Sequence, residues 1–224
     1  MAQLVFIVGK SGMGKSTSIR NLNPDETFIG NADQKALPFR KFSEKYNSEK
    51  GNYFNTSKTS EMVDMFKAAH KNPNIKSVIV DTWSRVQSNY VMDPEFRKEK
   101  GFDKYSRFAA AQYDLINLIN DKMREDIIVY MFAHPEIHYN ESGLSVERIA
   151  VQGKALEKFV PESFSSIVLY TEIQKIHGEP NKHVFSTKNS GSNSAKTPMD
   201  MFEEDFIDND LVIVDNAIRE YYGI

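Results

Sequence analysis

The sequence predicts an α/β fold: a mostly parallel sheet flanked by helices, with antiparallel hairpins at one edge. Three observations carry that prediction. Short apolar runs rich in β-branched residues alternate with stretches of helical periodicity up to about residue 134, the pattern of strand–helix–strand units. The later strands come in close pairs around turn residues, as hairpins do. No internal repeat or composition break divides the 224 residues, so they read as one domain, 1–224.

Each element follows from local pattern. "QLVFIV" (3–8) is a buried strand, followed by a glycine-rich turn and a first helix over "KSTSIRNL" that "NLNPDE" stops. "ETFIGNA" (26–32) is a second strand. Residues 34–58 are polar and irregular, with one strand candidate at "NYFNTS". "SEMVDMFKAAHKNPN" is an amphipathic helix with Ser60 as N-cap and Met62, Met65, Phe66 and Ala69 on one face. "IKSVIVD" (75–81) is a third strand, and the charged stretch 88–104 reads as a mobile loop. A long helix runs from about 102 to 124, with Tyr105, Phe108, Ala109, Leu115, Ile116, Ile119 and Met123 at helical spacing. "DIIVYMFAH" (126–134) is a fourth buried strand, and "EIHYNESGLSVERIAV" a hairpin turned at "ESG". "GKALEKFVP" is a short helix, "FSSIVLYTEIQ" and "HVFSTK" are strands joined by "HGEPNK", and "NSGSNSAKTP" is a loop. The chain closes on an amphipathic helix at about 209–222, with Leu211, Val214, Ile218 and Tyr221 on one face.

Composition excludes several function classes. The chain has no cysteine, which removes disulfide scaffolds, thiolate zinc sites and cysteine nucleophiles. No window reaches the roughly 18 apolar residues of a membrane span, and the start of the chain does not read as a signal peptide. A cytoplasmic setting is the expectation. The charge is uneven. Residues 199–224 hold eight acids against Arg219, a net −7 that leaves +4 of the overall −3 on residues 1–198. That is compatible with a local nucleic-acid groove and equally with a solvated tail helix.

The chemistry begins at Gly9-Lys10-Ser11-Gly12-Met13-Gly14-Lys15-Ser16, followed by Thr17, which fits G-x-x-x-x-G-K-[ST] between a strand and a helix. In such a P-loop the glycines let backbone N–H groups turn inward around phosphate, and the helix N-terminus adds partial positive charge. Lys15 is placed to reach the β- and γ-phosphates, and the Ser16 hydroxyl to bind Mg²⁺. "SVIVDTWS" supplies Asp81 at the end of an apolar strand, the position of a second Mg²⁺ ligand, direct or through water. Thr82 follows it, where many ATP hydrolases carry a glutamate base. A base therefore has to come from another strand. Asp33 follows the second strand, and His134 and Glu136 follow the fourth.

This order of pieces resembles the RecA-type ATPase core. More closely, the chain is similar to small phage-encoded RecA-like ATP-binding proteins linked to single-strand annealing and recombination. The resemblance rests on "GKSGMGKST", "TFIGNADQKALPF", "SVIVDTWSRV", "MFAHPE", "VQGKALEKFVPESFS" and "AKTPMDMFEEDFIDNDL", spread over almost the whole chain. It implies a RecA-like P-loop core that hydrolyses ATP with Mg²⁺, assembles as a homo-oligomer and acts on single-stranded DNA, with a single-strand-binding protein as a further partner. It places Asp33 where such proteins carry a catalytic glutamate and His134 at the sensor position. Lys196 falls where a lysine reaches a neighbouring subunit's phosphates. Loops 139–146 and 187–197 fall in the DNA-contacting region. Among the residues there and nearby, Lys182, His183, Lys188 and Lys196 suit phosphate contacts, and Tyr139 suits base stacking.

Two other classes compete. A small-molecule kinase begins with the same strand, P-loop and helix but needs an arginine-rich lid. Arg85, Arg97 and Arg107 are the only candidates, and they are spread thinly. A partition-type or assembly ATPase would use Lys10 as a second P-loop lysine reaching across a dimer.

Overall fold

The computed structural model describes residues 1–139, 143–175, 177–178 and 180–224. Among these residues ten strands run in chain order: β1 (Gln3–Val8), β2 (Thr27–Asn31), β3 (Tyr53–Phe54), β4 (Ser77–Asp81), β5 (Ile128–Ala133), β6 (Pro135–Tyr139), β7 (Ser145–Ile149), β8 (Ile167–Gln174), β9 (Lys182–Ser186) and β10 (Phe206–Asp208). The α-helices are α1 (Phe42–Lys45), α2 (Thr59–Lys71), α3 (Trp83–Met92), α4 (Pro94–Lys98), α5 (Asp103–Lys122) and α6 (Leu211–Tyr222). Eight strands form one sheet in the order β10-β9-β8-β1-β5-β4-β2-β3. All pairs from β8 to β3 are parallel, and β9 and β10 add antiparallel strands at the β8 edge. The expected α/β class and its antiparallel edge are what the chain forms. Of the two expected hairpins only β8–β9 lies at that edge, extended by β10, because β6 and β7 pair with each other in a separate two-stranded sheet.

The sheet is buried on both faces because its strands are apolar on both faces. Along β1, Leu4, Phe6 and Val8 face one core, built with Met62, Met65 and Phe66 of α2 and Leu115, Ile116 and Ile119 of α5. Val5 and Ile7 face a second core, built with Leu211, Val214 and Ile218 of α6. The period-two alternation of a strand decides which side chain enters which core.

Several local expectations are corrected. The first helix expected over residues 15–22 is a six-residue 3-10 helix at Ser16–Asn21. Ser18 Oγ bonds back to Lys15 O at 2.5 Å, a side-chain bond that competes with α-helical pairing, and Pro24 lies just beyond. Helix α2 starts at Thr59 after Lys58, so Ser60 lies inside its first turn and is not the cap. The stretch 88–104 is not a loop. It holds the end of α3 and all of α4, which Asp93 caps by accepting from the N–H groups of Glu95 and Phe96 with Pro94 in the first turn. The helix expected over 153–161 shrinks to a 3-10 turn at Lys154–Leu156. On α5 and α6, Tyr105 and Tyr221 are exposed and lie off the buried faces. The 59–71, 103–122 and 211–222 helices otherwise lie where periodicity places them. Glu141 and Ser142 of the expected "ESG" turn, and Glu179 of "HGEPNK", lie outside the described residues.

Candidate functional site

The parallel strands end their C-terminal edges together, and four of them lead to a chemically useful residue. β1 leads into the P-loop, β2 into Asp33, β4 ends in Asp81, and β5 leads to His134. Because β5 lies between β1 and β4, His134 sits between the P-loop and the Asp81 strand. A cavity of about 410 Å³ opens there. It is lined by Ser11, Gly12, Gly14, Lys15, Ser16 and Thr17 of the P-loop and by Asn31, Asp33, Lys35, Asp81, Thr82 and His134. Ligands of open parallel sheets bind at this edge of the fold.

The glycines have local reasons. A Cβ on Gly9 would lie 1.7 Å from Thr171 Oγ1, so only glycine lets the loop leave β1 beside β8. Gly14 has φ +96°, a backbone state that favours glycine. Lys15 is buried, and its Nζ donates to Gly9 O at 2.5 Å and to Lys10 O at 3.2 Å. Burial pulls its pKa down to about 8, while Asp81 and Asp33 act to raise it. The charge is thus held inside the loop, where an anion would find a donor with little bound water to displace.

Asp81 is 2% exposed, and burial pushes its carboxyl up to about 6 against a hydrogen bond from Ser16. Its Oδ1 has no hydrogen-bond partner, and neither does Asn31 Oδ1 on the neighbouring strand. Buried polar atoms are normally bonded, so two unbonded oxygens in one cavity indicate groups kept for something that enters it. Two hard oxygens beside a serine hydroxyl fit Mg²⁺, which binds through one or two carboxylates plus phosphate oxygens and water. No group of three or more His, Cys, Asp or Glu poised to hold a metal occurs among the described residues.

The candidate bases separate. Asp33 lines the cavity, pairs with Lys35 Nζ at 2.7 Å and accepts from Thr82 Oγ1 at 3.4 Å. His134 also lines it. Burial first, and the nearby Lys15 charge second, lower its pKa, so the ring is neutral at pH 7. Its Nδ1 lies 3.2 Å from Gly9 O, which can only accept, so Nδ1 carries the proton and Nε2 is the acceptor nitrogen. Glu136 does not line this cavity. It lies on β6 with its Oε1 2.8 Å from His138 Nε2, because the chain turns into the small sheet directly after His134.

The other expected residues fall elsewhere. Lys10 points away from the cavity and pairs with Glu147 Oε1 of β7 at 2.6 Å. Met13 offers its carbonyl to His183 Nδ1 at 3.2 Å. Lys196 is exposed, its backbone tied to Val168 by two hydrogen bonds of 2.8 and 2.9 Å. Lys182 is paired with Asp208 at 2.6 Å and Lys188 with Asp205 at 3.0 Å, which occupies two of the four expected phosphate contacts. Tyr139 is 75% exposed at the end of β6. Arg85, Arg97 and Arg107 are absent from the cavity lining, so they form no lid over it. Sequence reasoning missed Asn31 and Lys35 as site residues. The "KALPF" stretch was a signal for Lys35, since Ala36, Leu37 and Pro38 also line the cavity.

A family model described as an AAA domain matches residues 1–199. The chain belongs to the AAA domain family. No curated protein matches it. Among solved structures, a KaiC-like protein from Pyrococcus horikoshii OT3 is 12% identical, with a TM-score of 0.49 over 82% of this chain and 76% of that one. The flagellar accessory protein FlaH from Methanocaldococcus jannaschii is 14% identical, with a TM-score of 0.46 over 87% of this chain and 82% of that one. In this AAA domain no helix among the described residues is long and apolar enough to cross a membrane.

Proposed function

We propose that this AAA domain binds ATP with Mg²⁺, hydrolyses it, and works as a RecA-like protein on single-stranded DNA, with ATP at a subunit interface. The observation that carries the ATP part is the single cavity shared by the P-loop, Asp33, Asp81 and His134. Bound Mg²⁺ would neutralise charge on the β- and γ-phosphate oxygens, held by the Ser16 hydroxyl and Asp81. Lys15 would turn from the loop carbonyls to the phosphates and stabilise the charge that develops there. Asp33 or the acceptor nitrogen of His134 would orient the attacking water, while Glu136 takes no part from its place on β6. Lys196, exposed and without an ion pair among the described residues, remains available to a neighbouring subunit's phosphates.

The DNA part is supported by the sequence resemblance and by one surface. Ile137 and Tyr139 lie on one face of β6 and are both exposed, a face on which a base would stack on Tyr139. Residues 1–224 would act as one domain. ATP hydrolysis measured with and without single-stranded DNA, beside the mass in solution, tests the proposal. Stimulation with growth of the assembly is expected. An unstimulated, strictly monomeric protein overturns the DNA and interface parts, and phosphate transfer to a nucleoside in place of water overturns the ATPase.

A further inference from the structure

A second cavity, of about 450 Å³, lies on the other side of the same P-loop. It shares Gly12, Gly14 and Thr17 with the first, and its remaining walls are Arg20, Asn181, Lys182, His183, Asp208 and Asn209. Its volume is within the range of small-molecule sites. The shared residues make the two cavities neighbours across the end of the loop.

Asn209 is the unusual residue there. Its backbone is fully bonded: its N–H donates to His183 O at 3.3 Å, and its carbonyl accepts from Arg20 Nη1 at 2.6 Å. Arg20 also donates to Thr17 O at 3.2 Å and pairs with Asp210 at 3.3 Å, so the start of α6 is stapled to the 3-10 helix after the P-loop. The side chain is held against the loop, with Oδ1 3.1 Å from where a Gly14 Cβ would stand. Yet Asn209, only 5% exposed, leaves Nδ2 with no hydrogen-bond partner. An unmade hydrogen bond on a buried amide costs about 1–3 kcal/mol, so a rigidly held one beside a ligand cavity has the character of a reserved contact.

We infer that this second cavity takes the nucleobase and ribose of the nucleotide, and that the Asn209 side chain selects adenine. An amide presents one acceptor and one donor side by side, which matches the N6 donor and N7 acceptor of adenine. Guanine offers O6 and N7, two acceptors, and would set one of them against the amide oxygen. The Lys182–Asp208 pair stands at the exposed mouth of the cavity, and His183 closes it against the Met13 carbonyl. The inference rests on the proposed function, because it assumes that the first cavity receives the triphosphate.

The test is competition binding with Mg²⁺ and three probes: ATP, GTP and inorganic tripolyphosphate. Wild-type protein should prefer ATP to GTP. Asn209→Ala should weaken ATP about tenfold, leave tripolyphosphate unchanged and bring the ATP-to-GTP ratio close to one. Asn181→Trp, which fills the cavity from another of its walls, should weaken ATP and spare tripolyphosphate. It keeps the site testable if Asn209→Ala fails to fold, and Asn209→Ser then takes the place of that variant. Equal losses of ATP and tripolyphosphate in Asn209→Ala would mean that Asn209 only supports the P-loop. An unchanged ATP-to-GTP ratio in that variant would likewise overturn the assignment, as would full ATP affinity in Asn181→Trp. Wild-type binding of tripolyphosphate with no preference for ATP removes the adenine inference and leaves the proposed function standing. Binding of neither ATP nor tripolyphosphate removes both.

Discussion

At the N-terminal ends of β4 and β5, Asp215 and Asp126 are surrounded by donors. Asp215 accepts from Ser77 Oγ at 2.7 Å, Tyr130 OH at 3.1 Å and Arg219 Nε at 2.5 Å. Asp126 accepts from Lys76 Nζ at 2.5 Å and Arg124 Nε at 2.9 Å. Arg124 also bonds the carbonyls of Ala69, His70, Asn72 and Ile75, tying the end of α2 to β4. At the other end of the sheet, Asp81 of β4 and Asn31 of β2 each leave an oxygen unbonded, as Asn209 leaves its Nδ2. The contrast shows in the carboxyls. Burial acts to raise both, but the bonds from Arg124 and Lys76 bring Asp126 down to about 2, while Asp81 stays up at about 6. Fully bonded polar clusters fix a fold, whereas unbonded ones cost stability unless a ligand completes them. One end of this sheet holds the protein together and the other is left incomplete for a ligand.

Breaking the incomplete end should give the largest effect, and on ligand chemistry alone. Lys15→Ala is expected to lower ATP hydrolysis about a thousandfold, with thermal unfolding close to wild type. A large fall in unfolding temperature would show that Lys15 belongs to the structural half of the comparison. The mirror experiment is Asp215→Ala, which strands Arg219. Chemical denaturation should show a loss of about 3 kcal/mol, while ATP affinity per folded molecule stays unchanged.

The pH dependence sharpens the comparison, because the two carboxyls work in opposite directions. Asp126 has a folded pKa of about 2, below its ordinary 3.8, so its stabilisation is complete above about pH 4 and is lost as pH falls towards 2. Asp81 has a folded pKa of about 6, above its ordinary 3.8, so it destabilises the folded state fully above pH 6 and that cost is relieved as pH falls to about 4. Unfolding free energy without nucleotide should therefore rise between pH 7 and 4 and fall below 4. Asp81→Asn should flatten the upper limb, by on the order of 2 kcal/mol, and Arg124→Ala the lower. The same limbs in both variants would mean that the titrations come from elsewhere. The smallest effect belongs to Lys10→Ala. Its partner Glu147 is half-buried and Lys10 itself is 65% exposed, so a stability change under 1 kcal/mol and a change in ATP affinity under threefold are expected. Loss of hydrolysis comparable to Lys15→Ala would revive the assembly-ATPase reading.

Much of the site was legible because its signals are local. The P-loop, Asp81 and the strand ends at Asp33 and His134 each follow from a run of fewer than a dozen residues. Helix α4 was legible too, since Asp93-Pro94 is a cap followed by a first-turn proline, but the density of charge in 88–104 masked it. The 3-10 helix after Lys15 was not, because it depends on the Ser18 side chain choosing a backbone carbonyl.

The sequence by itself determined the strands other than β10, their two-faced alternation, the phosphate loop and the acid at the end of an apolar run. Periodicity and turn chemistry act over a few residues, so these could be read without a partner. Only the tertiary structure decided that β5 lies between β1 and β4, that Glu136 turns away into β6 while His134 stays, and that Lys10 answers to Glu147 rather than to phosphate. It alone brought Asn209 against a loop residue, held by an arginine 189 positions earlier in the chain. Such pairings are set by strand order and packing, and no local pattern encodes them.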